Sequence, residues 1–323
     1  MNISRRTILA MGAGAALAGT VASPAVAADD WPKRNIRFVT PYPPGGSSDV
    51  ITRFVAEGIA KESGASIVVE NKPGAAGTLG TSYIAKQKPD GYTFLVGPMA
   101  VISVAPWLMD LTYAPDDFIP VAKLSSSYGL ISAHNDTPFD DYKEFVEQAR
   151  ENPGKFTAGT NGVGSIVHLT AVGLHSAADI DVLVVPYKGA SETMTDLLGG
   201  RIDLMYDPAS APQVQAGKLK ALATTSQQRN PEFPDLPTLQ EQGFEVPFSG
   251  SWFGIFAPRG TPEDIVEQMS GYAKAVMETD DAKEKLQLRA MYPNYEDPAD
   301  FAKTVQNDSQ VLKELIEKEG LKQ

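Results

Sequence analysis

Apolar and polar positions along the chain alternate between two periods. Residues 36–40 (Ile-Arg-Phe-Val-Thr) form a short β-branched and aromatic run, which predicts a strand. The turn-rich Pro41-Tyr42-Pro43-Pro44-Gly45-Gly46 follows. From Val50 onward, Ile51, Phe54, Val55 and Ile59 fall at helical spacing, so a helix is expected to about Lys61 with Ser47 or Ser48 as its cap. The same order of strand, Gly-containing loop and helix returns twice. A strand over 66–70 precedes a loop over 71–77 and a helix from Thr78, and a strand over 155–158 precedes a loop over 159–164 and a helix from Ser165. Further strands are expected at 92–96, 182–185, 201–206, 219–224 and 252–257, and helices at 139–151, 191–198, 262–277 and 298–318. The Pro-rich polar segment 226–243 reads as a surface connection.

Three such units predict an α/β fold with largely parallel sheets. One sheet would have to hold an unusual number of strands, so two lobes are expected. Residues 28–130 with 252–323 make the first and 131–251 the second, with hinge crossings near Ile131 and Phe253.

Residues 1–27 depart from this pattern. A basic start containing Arg5 and Arg6 leads into an Ala/Gly-rich apolar stretch that ends Ala25-Val26-Ala27, which reads as a signal peptide cleaved near Ala27. The paired arginines after Ser4 resemble a twin-arginine signal, although Sec export shares the basic start. No later stretch reaches the roughly 18 uninterrupted apolar residues of a spanning helix.

Composition narrows the function. Forty acidic against 28 basic residues give a formal charge of −12, which argues against a nucleic-acid partner. The absence of cysteine excludes disulfides, thiolate metal sites and a Cys nucleophile, and His168 and His175, seven apart, could share a helix face but not one coordination sphere without a bend, so a structural-metal reading is poor. No cofactor is expected.

Candidate chemistry therefore falls to the loops. A Gly-rich turn that delivers a helix exposes unpaired backbone N–H groups backed by the helix dipole, and such an end holds a carboxylate or phosphate without Lys or Arg. None of the three loops has the Gly-Lys-Ser/Thr of a phosphate loop or the dinucleotide spacing. One such loop is an ordinary helix start; three at the carboxyl ends of strands mark a ligand site. Catalysis finds little support. Ser165 and His168 lie on one helix without a nucleophile elbow, so His168 reads first as a packing residue. Asp116-Asp117, Asp140-Asp141 and Asp280-Asp281 read as solvated helix starts. Asp207 ends an apolar strand before Pro208, and reads equally as an acceptor for a ligand amine or hydroxyl and as a turn former.

Five segments, residues 41–49, 69–77, 89–95, 185–189 and 236–238 (PYPPGGSSD, VENKPGAAG, PDGYTFL, VPYKG and LPT), occur in an order that resembles the Bug family, the TctC-like solute-binding proteins of tripartite tricarboxylate transporters. The resemblance runs from about Trp31 to the C-terminus. It implies a periplasmic, two-lobed binding protein of type II-like fold, each lobe a mainly parallel sheet flanked by helices. Such a protein would be a monomer that closes on a small carboxylate, either a dicarboxylate or an aromatic acid. It would deliver that ligand to large and small membrane permease subunits. By the same resemblance Tyr42, Gly45, Ser47, Ser48 and Asp49, with Ala75, Ala76 and Gly77, would line the cleft from the first lobe. Thr160, Asn161, Gly162, Gly164 and Ser165 would close from the second, and Asp207 would border the far end of the ligand. Two departures stand out: Asn161 places a bulkier amide where the family's loop opens with Gly-Ser or Gly-Thr, and 123–129 is polar up to Tyr128. The alternatives are an exported hydrolase or lyase using Ser165 and His168, and a ligand sensor that presents its closed form to a membrane receptor.

Overall fold

A computed structural model describes residues 31–248 and 250–322, so the expected export segment and its cleavage point lie outside the described residues. In chain order the first part comprises β1 (Ile36–Thr40), α1 (Ser47–Ser63), β2 (Ile67–Asn71), α2 (Thr78–Ala85), β3 (Thr93–Pro98), α3 (Ala105–Leu108) and β4 (Phe118–Ser127). A second group follows: β5 (Ile131–His134), α4 (Tyr142–Glu151), β6 (Thr157–Thr160), α5 (Ile166–Ala178), β7 (Leu183–Pro186), α6 (Ala190–Leu198), β8 (Leu204–Met205), α7 (Ala211–Gln215) and β9 (Leu219–Ala223). The chain then adds β10 (Trp252–Pro258), α8 (Glu263–Met277), α9 (Asp280–Gln287), β11 (Met291–Glu296) and α10 (Pro298–Lys318).

The strands form two sheets, ordered β11-β4-β10-β3-β1-β2 and β7-β6-β8-β5-β9. The α/β class holds, but both sheets are mixed rather than mainly parallel. In the first, β1 is parallel to β2 and β3, whereas β10 is antiparallel to β3 and β4, and β11 to β4. In the second, β6 is parallel to β7 and β8, whereas β5 is antiparallel to β8 and β9. The cause is the double crossing of the chain. Strand β4 leads out of the first sheet and β10 leads back into it, so two adjacent strands that leave and return must point in opposite directions. The same holds for β5 and β9 at the other end.

Apolar periodicity places the cores as expected. Ile51, Val55 and Ile59 of α1 pack beneath Ile36 and Phe38 of β1 with Ile265, Met269 and Ala273 of α8. The second sheet closes over Phe139, Tyr142, Phe145 and Phe156 with Val167, Ala171 and Leu174 of α5. A further cluster joins the two groups, because Leu169 and Val172 of α5 pack with Leu312, Leu315 and Ile316 of α10.

Strand β4 carries no clear apolar pattern, yet it lies inside the first sheet. Its Lys123 is 1% exposed and places Nζ 2.6 Å from Glu296 Oε1, while Thr304 of α10 donates to the other oxygen of Glu296 at 2.6 Å. Paired in this way, a charge is tolerated where an isolated one would not be. Tyr128, just beyond β4, is buried and stacks on Tyr292 with ring centres 4.6 Å apart.

The two connections between the sheets touch each other at Gly129. Its carbonyl accepts from Thr224 Oγ1 at 2.7 Å, and a Cβ there would lie 1.8 Å from Thr225 Oγ1. Gly129→Ala is therefore expected to push the connections apart and cost about 1–3 kcal/mol. A fall in the denaturant midpoint of Gly129→Ala with no fall in a Gly271→Ala control, whose added methyl meets open space, would bear this out.

Candidate ligand-binding site

The carboxyl ends of β1 and β2 deliver loops that are stitched into one assembly. Helix α1 starts at Ser47 behind Gly46, and no side chain caps it, contrary to the expected serine cap. Ser47 is exposed, and the Ser48 hydroxyl instead accepts from Thr40 Oγ1 at 3.2 Å. The first-turn amides are thus left without a side-chain acceptor, which is the arrangement that favours an anion.

Asp49 organises this end. Its buried carboxylate accepts from Gly45 N at 2.9 Å, from Asn71 Nδ2 at 2.8 Å and from Arg53 Nε at 3.0 Å. Burial raises its pKa, but the hydrogen bonds from Arg53, Gly45 and Asn71 outweigh that and hold the carboxyl below the usual range. Asn71 also donates to the Tyr42 carbonyl at 3.1 Å, and Tyr42 Oη donates to the Ala76 carbonyl at 3.0 Å. Burial raises the Tyr42 pKa, which keeps the phenol a neutral donor.

The 74–77 loop holds four successive positive φ angles, at Gly74 (138°), Ala75 (46°), Ala76 (53°) and Gly77 (95°). Alanine rarely adopts that conformation, so Ala75 and Ala76 hold local strain. Thr78 Oγ1 supports the turn from below by donating to the Ala75 carbonyl at 2.8 Å. Gly77 is packed closely: a Cβ there would lie 2.8 Å from Val101.

In the second sheet the loop after β6 turns on Gly162 (φ 106°) and Gly164 (φ 75°). Ser165 caps α5, its hydroxyl accepting from His168 N at 3.1 Å, and His168 Nδ1 accepts from Gly164 N at 3.4 Å. Burial lowers the His168 pKa, which keeps the ring neutral and Nδ1 an acceptor. Ser165 and His168 thus each hold the loop, and the packing reading of His168 fits better than a nucleophile with its base. Beside them, Asn161 Nδ2 donates to Asp207 Oδ2, and Ala209 N donates to Asp207 Oδ1 at 2.8 Å. Asp207 is buried and does form the turn before Pro208.

The residues therefore assemble as two sets. Tyr42, Gly45, Ser48, Asp49, Ala76 and Gly77 belong to the first sheet's edge; Thr160, Asn161, Gly162, Gly164, Ser165 and Asp207 belong to the second's. What touches both is the segment after β3, which the motifs did not single out. Val101, within the π-helical turn Ala100–Val104, meets Gly77, and Leu108 meets Gly164, where a Cβ would lie 2.9 Å from Leu108 Cδ1. The signal for it was positional: β3 is parallel to β1, so its following loop must emerge at the same edge. Among the described residues, Ser103 Oγ, Trp107 Nε1, Thr160 Oγ1 and Asn161 Oδ1 are all withdrawn from solvent without a hydrogen-bond partner. Four such atoms, two in the segment after β3 and two at the end of β6, are unusual for a folded protein. A cavity of 670 Å³ lies behind α5 against the end of α10; it is lined by His168 but by none of the residues expected to hold the carboxylate.

Residues 51–321 match the tripartite tricarboxylate transporter family receptor, TctC. Protein BugT of Bordetella pertussis is 31% identical over 288 residues, covering 86% of this chain and 86% of its own. A solved TctC solute-binding protein from Polaromonas, with no ligand, aligns with a TM-score of 0.79 at 29% identity, over 89% of this chain and 99% of its own. An R. palustris protein solved with adipate aligns at 0.67 and 32% identity, over 90% and 99%. MatC of Rhodopseudomonas palustris, solved with bound malate, aligns at 0.63 and 30% identity, over 88% and 100%. The strand-end loops, the two mixed sheets and these matches give one answer: the chain belongs to the TctC family of tripartite tricarboxylate transporter receptors.

Proposed function

We propose that this protein is a periplasmic solute-binding protein that captures a small organic carboxylate between the loop edges of its two sheets. It then presents the ligand to large and small membrane permease subunits. The observation that carries this reading is the uncapped start of α1, with Asp49 bracing the loop in front of it. Backbone amides at such an end supply positive potential locally, so the acidity of the whole chain does not forbid an anionic ligand. The relatives that hold adipate and malate support a carboxylate, and the engagement of Ser165 and His168 in holding their loop supports binding without turnover.

In this reading residues 28–130 with 252–323 form one lobe and 131–251 the other, and the connections that meet at Gly129 form the hinge of a monomer. Tyr42, Gly45, Ser47, Ser48 and the 75–77 loop face the ligand from the first lobe, with Asp49 shaping that face. Thr160, Asn161, Gly162, Gly164 and Ser165 close from the second, with Asp207 at its edge. Residues 1–27 direct export and are removed near Ala27.

Purified protein, stripped of co-purified ligand, should melt at a higher temperature with its own acid. The gain is about 2.7 kcal/mol at a hundred times Kd, because the ligand binds the folded state alone. A panel of mono-, di- and tricarboxylates that leaves the melting curve unmoved throughout would overturn the reading.

A further inference from the structure

The amide of Asn161 is oriented by a carboxylate. Asp207, two residues past β8, commits both of its oxygens to neighbours: Oδ1 accepts from Ala209 N and caps the turn Pro208–Ser210, and Oδ2 accepts from Asn161 Nδ2. A carboxylate only accepts, so the amide tolerates one orientation; turned over, it would set Oδ1 against Asp207 oxygen. The consequence is that Asn161 Oδ1 faces away from Asp207, and it is withdrawn from solvent without a donor. Next to it Thr160 is fully buried, and its Oγ1 has no partner either. An acceptor left unmade in this way is costly, which makes the position selective for a group that donates to it.

The rest of the loop asks for the opposite. Gly162 and Gly164 turn the backbone into the start of α5, where amides and the helix dipole favour negative charge. The second sheet therefore presents a helix start that favours a carboxylate and, four residues before its cap Ser165, an acceptor that the carboxylate cannot satisfy.

We propose that Asn161, held by Asp207, reads a hydrogen-bond donor on the ligand, so that this protein takes hydroxy- or amino-substituted carboxylates in preference to unsubstituted ones. The proposal rests on the carboxylate-binding reading above. Asp207 is a positioning residue here, since its oxygens serve the turn and the Asn161 amide.

The test is calorimetry on ligand-stripped protein with series that differ by one substituent. Suitable sets are succinate, malate and aspartate; glutarate, 2-hydroxyglutarate and glutamate; and phenylacetate, mandelate and phenylglycine. In the series that binds, a substituted member should bind about tenfold or more tightly than the unsubstituted one. The hydroxyl and ammonium arms show which donor is used. Asn161→Ala should weaken the substituted acids most and so bring the series to within about twofold. Asp207→Asn keeps a good cap for the turn. Its new amide donates to Asn161 Oδ1 and turns the Asn161 NH2 outward, so the preference for an amino acid should reverse toward the unsubstituted one, whereas a hydroxyl, which also accepts, should keep its affinity. Equal affinity across the binding series, or a preference that survives Asn161→Ala, overturns the proposal. A preference for the amino member unchanged in Asp207→Asn removes Asp207 from it. Binding by no acid in any series instead overturns the carboxylate reading itself.

Discussion

Asp49→Ala is expected to weaken carboxylate binding by about tenfold to a hundredfold and to destabilise the fold by about 2–3 kcal/mol. The carboxylate is the common acceptor for Gly45 N, Asn71 Nδ2 and Arg53, so its loss frees the loop in front of α1 from β2 and from α1 itself. Arg53 is half exposed and regains water, which keeps the stability cost moderate. The binding cost is larger because affinity depends on the loop amides being held in place before the ligand arrives. Calorimetry with the bound acid, beside the denaturant midpoint, separates the two effects; affinity within threefold of wild type would show that Asp49 does not shape the site.

Acid provides a second readout. The folded carboxyl is held below its ordinary value, so its contribution to stability is present above the unfolded pKa of about 3.9 and is lost as pH falls through the lower folded value. The stability of wild type below about pH 4 should therefore fall more steeply than that of Asp49→Asn, which has no proton to gain there.

Trp252→Ala should have the largest effect on stability, about 3–5 kcal/mol. Trp252 is fully buried on β10, the strand that returns from the second sheet, and its ring meets Phe301 of α10 edge-on with centres 5.1 Å apart. Its Nε1 donates to Asp308 Oδ2 at 2.8 Å, so one side chain ties the central strand to the C-terminal helix by packing and by a charge-assisted hydrogen bond. Trp252→Phe should lose the hydrogen bond but keep much of the packing, and fall between the two. Denaturant unfolding followed by far-UV circular dichroism checks the order, and a loss under about 1 kcal/mol in Trp252→Ala would show that α10 is anchored elsewhere.

Much of this architecture was readable from local pattern. The strand expected at 66–70 is β2 (Ile67–Asn71), the helix expected at 298–318 is α10 (Pro298–Lys318), and all three loop–helix junctions appear where their glycines place them. Errors arose where a residue's partner is distant in the chain. Lys123, Ser125 and Ser126 broke the apolar pattern of β4, and are buried because Glu296 and Asn294 meet Lys123 and Ser126 from β11. The expected strand over 201–206 shrank to β8 (Leu204–Met205), since Asp203 turns to bond Thr157. Neither Ser47 nor Ser48 caps α1, because the helix already begins at Ser47 behind Gly46.

Sequence alone determined the class of the fold and the grammar of strand, loop and helix. These follow from nearest-neighbour steric preferences and from apolar spacing, which act within a few residues. The tertiary structure decided the directions of β10 and β5, the part played by the segment after β3, and the orientation of the Asn161 amide. Each of these depends on a contact between residues far apart in the chain. Asn161 and Asp207 are 46 positions apart, and only the pairing of β6 beside β8 brings the amide to the carboxylate that orients it.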